Sequence, residues 1–371
     1  MTAEEVGPPI DGLELRRRIG TGGYADVFLY RETSLDRDVA VKVVRETGLS
    51  EDEATGFVAE AHAMARLAHP HIVPVYAVGR TGHGRPYLTM PFYPEGTLHD
   101  RARTPLAVAE VLKTGVQIGS AVAYAHGAGI LHRDIKPHNI LRNQFGPALS
   151  DFGIAGTIAD VGERIIGMSI PWSPPEVLLD TAAPGVASDV YSLAATLWHL
   201  LTTHAPFGRP GDTEADLVRR IRLEPLPALG RADVPATLEG LLRQSMAKDP
   251  ADRFSAMTSF VHALQDVQRE QHLEPTDVVL VPGQRRADQT VRPDPARRAD
   301  LTRPRSDRTT SPRRAATGST TSGSSASATT ATTAKTAAAR TQVVLLVLVL
   351  VMAAVLLLGV LMLVLRPGGV G

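Results

Sequence analysis

From Gln284 to Arg340 the apolar side chains nearly vanish, with Arg and Pro dominating first and Ser, Thr, Ala and Gly following. Such a composition cannot offset chain entropy by burial. A packed core in this 371-residue chain must therefore come from the residues before that stretch. Gly12 to Gln271 supplies it, with apolar alternation early and helical periodicity later, enough for one large domain. Residues 284–340 read as a disordered linker whose twelve Lys and Arg against four Asp leave it at about +8. The whole chain carries 39 Lys and Arg against 39 Asp and Glu. The globular part is acidic by difference, and bulk recruitment of nucleic acid is not expected. With no cysteine, the chain has no disulfide framework, thiolate zinc site, thiol nucleophile or iron–sulfur cluster.

After the linker comes Val343 to Leu365, VVLLVLVLVMAAVLLLGVLMLVL, without one charged or hydrogen-bonding side chain. At about 1.5 Å per residue this run crosses a roughly 30 Å hydrocarbon core, which predicts one transmembrane helix. Basic residues crowd its N-terminal flank and only Arg366 lies beyond. Positive-inside bias then predicts a single-pass protein of the cell membrane with its globular part cytoplasmic and residues 366–371 as a short outer tail. With so short a tail, no outer domain to sense a ligand is expected. The N-terminus, MTAEEVGPPI, is acidic and has no apolar segment, so no signal peptide is expected. The Arg-rich linker is a candidate to adhere to anionic lipid. Gly359 is a lone small residue in the span, and a dimer is left open.

The chemistry begins where glycine spacing is tight. Leu15 to Tyr30, LRRRIGTGGYADVFLY, sets Gly20, Gly22 and Gly23 between two strand-like runs. A turn built mostly of backbone lets peptide N–H groups approach phosphate closely, and the same pattern reads equally as a structural hairpin. Ala25 stands where the third glycine of G-x-G-x-x-G would be. Val39 to Val44, VAVKVV, reads as a strand with Lys42 on the opposite face from Val41 and Val43, either solvated or with a role. In Phe57 to Ala68, FVAEAHAMARLA, the apolar Phe57, Ala61, Met64 and Leu67 fall at helical spacing, with Glu60 beside that stripe. Ile130 to Leu141, ILHRDIKPHNIL, and Leu149 to Ala155, LSDFGIA, contribute Asp134 and Asp151 around Lys136 and Asn139. Singly these are turn formers or caps. Together they offer the hard oxygens that Mg²⁺ shares with substrate phosphates.

Taken in this order, the motifs resemble those of the eukaryotic-type (Hanks-type) Ser/Thr protein kinases, including the bacterial, membrane-anchored kind, from about Gly12 to Gln271. The resemblance implies an α+β bilobal protein-kinase fold, a small β-rich N-lobe and a larger helical C-lobe. It implies transfer of the γ-phosphate of ATP to Ser and Thr hydroxyls of protein substrates, itself included, with Mg²⁺. Carried onto this chain, it has Gly20, Gly22, Gly23 and Val27 cover the phosphates, and Lys42 contact the α- and β-phosphates while Glu60 holds it by an ion pair. In Tyr87 to Tyr93, YLTMPFY, it makes Met90 the gatekeeper and sets adenine against the backbone of Pro91 and Tyr93. Pro91 departs from the commoner acidic residue, harmlessly where only its C=O is used. Asp134 becomes the catalytic carboxylate, Lys136 its companion on the γ-phosphate, and Asn139 and Asp151 the Mg²⁺ ligands. His132 reads as a residue packed against the Asp151 loop rather than a base.

The segment from Asp151 to Glu176 departs furthest from that family. In SIPWSPPE, Ser169 replaces the usual Thr and Trp172 the usual Tyr, and Ile158 to Met168 contains no Ser, Thr or Tyr. Only Thr157 and Ser169 remain as nearby acceptors whose phosphate Arg133 would greet. Loop phosphorylation is therefore not expected to be the main switch, with Glu163 or proximity on the membrane taking part of that role. The plain alternative pairs Arg133 with a carboxylate. Further on, Asp189 is expected to anchor the catalytic-loop backbone and Arg253 in KDPADRF to pair with Glu176. A catalytically silent nucleotide-binding scaffold is the second reading of the whole. A small-molecule phosphotransferase is disfavoured by the peptide-binding segment Trp172 to Glu176.

Overall fold

The computed structural model describes residues 7–22, 25–45, 57–58, 61–62, 64–152 and 169–279. Gly23, Glu60, Thr157, Glu163, the linker 284–340, the apolar run 343–365 and the tail 366–371 lie outside the described residues. Among the described residues no helix is long and apolar enough to cross a membrane.

The N-lobe is an antiparallel sheet of β1 (Leu13–Thr21), β2 (Ala25–Glu32), β3 (Arg37–Val44), β4 (Ala77–Arg80) and β5 (Pro86–Pro91), in the order β1-β2-β3-β5-β4. Its central strands are dense in β-branched and aromatic residues, which suit a pleated surface buried on both sides. Alternation divides them cleanly. Phe28, Tyr30, Val39, Val41 and Val43 join Ile10 in a cluster of their own, whereas Ala40, Val44, Leu88 and Met90 belong to the main core. Lys42 shares the Ala40 and Val44 side, as its place in the alternation predicts. Register sets it opposite both Val27 on β2 and Leu88 on β5, in the middle of the sheet. β1 is the exposed edge, and its pairing slips between Leu15 and Arg17 and again between Arg18 and Gly20. Such bulges increase local twist and bend the edge strand.

Phe57, Ala61, Met64 and Leu67 are all buried in the main core, so the apolar stripe read from the sequence does pack inward. The chain then passes through His69 and Ile72, where it bridges Leu149 of the C-lobe.

The C-lobe comprises α1 (Leu98–Arg101), α2 (Val108–Gly127), the hairpin β6 (Ile140–Asn143) and β7 (Gly146–Leu149), then α3 (Pro175–Leu178), α4 (Val186–Thr202), α5 (Glu214–Leu223), α6 (Ala236–Ser245) and α7 (Met257–Glu270). α4 is apolar nearly all round, including Leu193, Leu197, Trp198 and Leu201, and is correspondingly buried. α2 meets its neighbours through glycine. A Cβ on Gly119 would sit 2.5 Å from Val261 of α7, and one on Gly115 would sit 2.9 Å from Leu197 and Leu264. These two residues surrender helix propensity so that backbones can approach. Beyond α7 the chain runs back as residues 272–279, with Leu273 and Val278 packed on the core.

Candidate active site

A single buried carboxylate shapes the loop that carries Asp134. Asp189, 1% exposed near the start of α4, accepts from the backbone N–H of His132 (2.9 Å) and Arg133 (2.8 Å) and bonds His126 Nε2 (2.7 Å). This is the expected anchor, and it holds Arg133 at φ 67° in the left-handed region. Three partners satisfy an otherwise costly buried charge. His126 is a participant the sequence did not reveal, because a lone His in an apolar helix carries no pattern.

His132 is wholly enclosed. Its Nδ1 accepts from the N–H of Asp134 (3.2 Å), so Nε2 carries the proton and donates to Ser150 O (2.9 Å), while its ring packs on Phe152. Burial lowers its pKa, outweighing the nearby carboxylates and the Ser150 contact. With both nitrogens engaged and the ring neutral, His132 is a structural strut, as anticipated.

The reacting end of the loop is set by local bonds. Asp134 Oδ2 accepts from Lys136 Nζ (2.7 Å) and from Asn139 Nδ2 (2.9 Å), which also donates to the Asp134 carbonyl (2.9 Å). Pro137 starts the short 3-10 turn that brings Asn139 back to Asp134. Using both amide hydrogens leaves Asn139 Oδ1 as the atom available to a cation. Lys136 Nζ reaches further to Ser169 Oγ (2.5 Å), tying the loop to the far end of the 151–176 segment.

Asp151 arrives from β7 in the left-handed region, φ 60°, and its Oδ1 meets Lys42 Nζ at 2.7 Å. Burial raises the pKa of this carboxyl, but the charge and hydrogen bond of Lys42 together outweigh it, helped by the charge of Lys136, and the net direction is down. Lys42 thus has a partner among the described residues, and Glu60, its expected partner, lies outside them. Among the described residues no group of three or more His, Cys, Asp or Glu is placed to hold a metal ion. Asn139 and Asp151 make a sparser pair, of the sort that suits Mg²⁺ completing its shell with phosphate and water.

The glycines lie where the end of β1 pairs with the start of β2. Gly22 N–H donates to Ala25 O (2.9 Å), and Gly20 pairs with Val27. Neither Gly20 nor Gly22 takes a positive φ, and a Cβ on Gly20 would meet nothing nearer than Val27 at 3.6 Å. The fold itself therefore does not demand glycine at position 20. At the back, Met90 (8% exposed) pairs with Ala40 and Pro91 with Val39, so Pro91 ends β5 and Tyr93 follows it. Burial pushes the Tyr93 hydroxyl pKa upward, with Tyr76 adding to the shift.

The other end of the segment is locked by charge. Arg253 donates twice to Glu176, at 2.8 Å on each oxygen, and Ser188 Oγ adds a third bond to that carboxylate (3.0 Å). Trp172 sits in a 3-10 turn, Ile170–Trp172, beside His138 and His199. These histidines, with His99 stacked on His138 at 3.8 Å, form a ring cluster that no sequence spacing announced.

The protein kinase domain family matches residues 13–264. Serine/threonine-protein kinase PknK of Mycobacterium tuberculosis is 39% identical over 265 residues, covering 70% of this chain and 24% of PknK. PknJ of the same organism is 34% identical over 271 residues, covering 70% of this chain and 46% of PknJ. The chain therefore spans less than half the length of these curated relatives. The crystal structure of the M. tuberculosis PknI kinase domain superposes with a TM-score of 0.56 at 28% identity, covering 72% of this chain and 98% of that one. Two lobes joined behind a pair of lysine-bound carboxylates, an ordered set of motifs and a match across nearly all the folded residues agree, and the chain belongs to the protein kinase family, with bacterial Ser/Thr-protein kinases among its relatives.

Proposed function

We propose that the chain transfers the γ-phosphate of ATP to Ser and Thr hydroxyls of proteins, its own linker included, while anchored in a membrane through residues 343–365. The observation that carries the catalytic reading is the convergence of two carboxylates from separate loops, each with its own lysine. Asp134 with Lys136 and Asp151 with Lys42 are both paired at 2.7 Å. A silent scaffold has no need of both pairs, and that favours an active enzyme over the alternative.

In this reading Asp134 takes the proton of the attacking hydroxyl on Oδ1, since Oδ2 is already engaged by Lys136 and Asn139. Lys136 faces both that carboxylate and Ser169, where its charge offsets the developing charge on the transferred phosphoryl group. Lys42 positions the α- and β-phosphates, the turn carrying Gly20, Gly22, Gly23 and Val27 covers them, and Met90, Pro91 and Tyr93 receive the adenine. Asn139 and Asp151 would hold Mg²⁺, which supplies neutralisation of the phosphate oxygens. Alignment and fixed charge are the main contributions a protein can make to this loose transition state. Full-length chain incubated with ATP and Mg²⁺, followed by phosphosite mass spectrometry and transfer to a generic basic protein, tests the reading. Phosphate on Ser or Thr in the parent and none with Asp151→Asn is expected, and equal labelling of both would refute it.

Membrane attachment is supported by the uninterrupted apolar run and by the positive linker that precedes it. Carbonate-resistant membrane retention that is lost when residues 343–365 are deleted is the expected result. Autophosphorylation of linker Ser and Thr would offset the positive charge and weaken adhesion to anionic vesicles, measurable before and after ATP treatment. The lack of Ser, Thr and Tyr from Ile158 to Met168 supports activity that does not depend on phosphate in that stretch.

A further inference from the structure

Beyond α7 the chain does not leave the domain. Gln268, only 2% exposed on α7, reads Thr276 with both ends of its amide. Its Oε1 accepts the Thr276 N–H (2.9 Å) and its Nε2 donates to Thr276 Oγ1 (2.8 Å), while Gln265 Nε2 donates to the Thr276 carbonyl (2.8 Å). Three residues on, Val279 meets Ser120 of α2. Ser120 Oγ, in a residue 1% exposed, donates to Val279 O (2.9 Å) and accepts from Val279 N–H (3.0 Å). Buried polar side chains this completely matched to a segment's backbone specify one docked position for it.

That position adjoins the catalytic machinery from behind. His69 Nε2 lies 3.2 Å from Ser120 Oγ and 3.3 Å from Val279 O. Its Nδ1 accepts the His71 N–H (3.1 Å), which fixes the proton on Nε2 and makes His69 the donor to that node. His71 in turn bonds Pro147 O through Nδ1 (2.8 Å) and accepts the Leu149 N–H on its carbonyl (2.9 Å), while Val73 N–H donates to Leu149 O (2.9 Å). Leu149 ends β7, two residues before Asp151. The same segment, through Ala68 N–H to Tyr124 OH (3.3 Å), follows directly on the helical residues Ala61 and Met64.

We propose that residues 272–279 are a positioning strap for phosphoryl transfer, clamping the His69–Val73 segment and through it the β7 strand that presents Asp151, with Ser120 and Gln268 as its positioning residues. The inference rests on the kinase reading above for its catalytic consequence, though not for its structural one. Because the strap is also the root of the linker, a force or a modification on the linker is delivered to the back of the Asp151 strand rather than to a free end. Coupling along this contiguous chain of bonds is measured at both of its ends.

Amide hydrogen exchange and steady-state kinetics are measured on the full-length chain for parent, Ser120→Ala, Gln268→Ala and Gln268→Glu. Ser120→Ala and Gln268→Ala each remove two bonds to the strap. Faster exchange, about tenfold, is expected at the amides of Ile72, Val73 and Leu149 in both. A severalfold rise in the ATP concentration needed for half-maximal rate is expected beside a smaller change in kcat. Gln268→Glu restores both in part, since its carboxylate still accepts the Thr276 N–H and takes a bond from the Thr276 hydroxyl, against the cost of burying its charge. Unchanged exchange at those amides in both alanine variants overturns the strap whatever the activity. Exchange that rises with ATP dependence unmoved, in an active parent, overturns its positioning role. A parent that transfers no phosphate refutes the kinase reading instead, while the exchange data still judge the clamp.

Discussion

Replacing Arg253 with Ala puts the ion pair that closes the 151–176 segment to its most direct test. The Arg253 side chain is 0% exposed and that of Glu176 is 6% exposed. The guanidinium donates to both Glu176 oxygens and also to the carbonyls of Ala247, Lys248 and Ala187. Alanine would strand a carboxylate with Ser188 Oγ as its remaining partner and leave three carbonyls short of a donor. Breaking one side of a buried pair typically costs about 3–5 kcal/mol. In a domain of this size each kcal/mol moves the melting midpoint by roughly 2–4 °C, so a fall of about 10 °C is expected. Thermal unfolding of parent and Arg253→Ala, with turnover measured well below both midpoints, separates folding from chemistry. The fraction that stays folded should retain most of its kcat, and a double variant, Glu176→Leu with Arg253→Met, should recover part of the lost stability by removing both charges. A single variant that melts within about 2 °C of the parent yet loses its turnover would refute the structural assignment and make Arg253 a participant in the reaction.

Lys42→Met and Asp134→Asn should each abolish detectable transfer while leaving the unfolding free energy within about 1 kcal/mol of the parent, because each leaves a partner that water can reach; denaturant unfolding followed by circular dichroism and labelling together check this. Gly119→Ala should destabilise by about 1–2 kcal/mol in urea unfolding, since overpacking against Val261 at 2.5 Å outweighs the roughly 1 kcal/mol of helix propensity it gains. Burial pushes the pKa of His69 and His199 down to about 4, with neighbouring histidines adding to the shift. Both rings are therefore neutral in the fold but take up a proton in the unfolded chain near pH 6.5. Their stability contribution is complete above that pH and is lost as pH falls toward 4, by about 1–2 kcal/mol each at pH 5. Urea midpoints at pH 7.5 and pH 5 that coincide would show that these rings are not neutral and enclosed as described.

What was legible in the sequence was whatever depends on short spacing. Asp134, Lys136 and Asn139 lie within one loop, and the proline between them forces the turn that makes them neighbours, so their mutual bonds could be anticipated from order alone. Lys42 was legible as a strand residue on a particular face because a two-residue period leaves no freedom once Val41 and Val43 are buried. Its 2.7 Å contact with Asp151 was not, since that bond joins positions 109 apart and depends on how two lobes meet. The same limit hid His126 behind Asp189, and it hid the strap, whose recognition by Ser120 spans 159 positions. Gly115 and Gly119 were worse than silent, since on propensity alone they argue against the helix they occupy, and only their contact with α4 and α7 explains them.

The contacts of Asp189 and Ser120 share a physical character: each joins a buried polar side chain to a backbone or a charge supplied from far along the chain. A buried polar group left without its partner is costly, so each such residue implies a partner that its own neighbourhood does not contain. Ser120 and Gln268, polar residues on the buried faces of α2 and α7, are visible in the sequence as interruptions of otherwise apolar stripes. An interruption of that kind marks where a second segment must arrive, even when the pattern cannot say which. In this chain the segment that arrives is residues 272–279, so the last described residues belong to the packing of the fold rather than lying free of it.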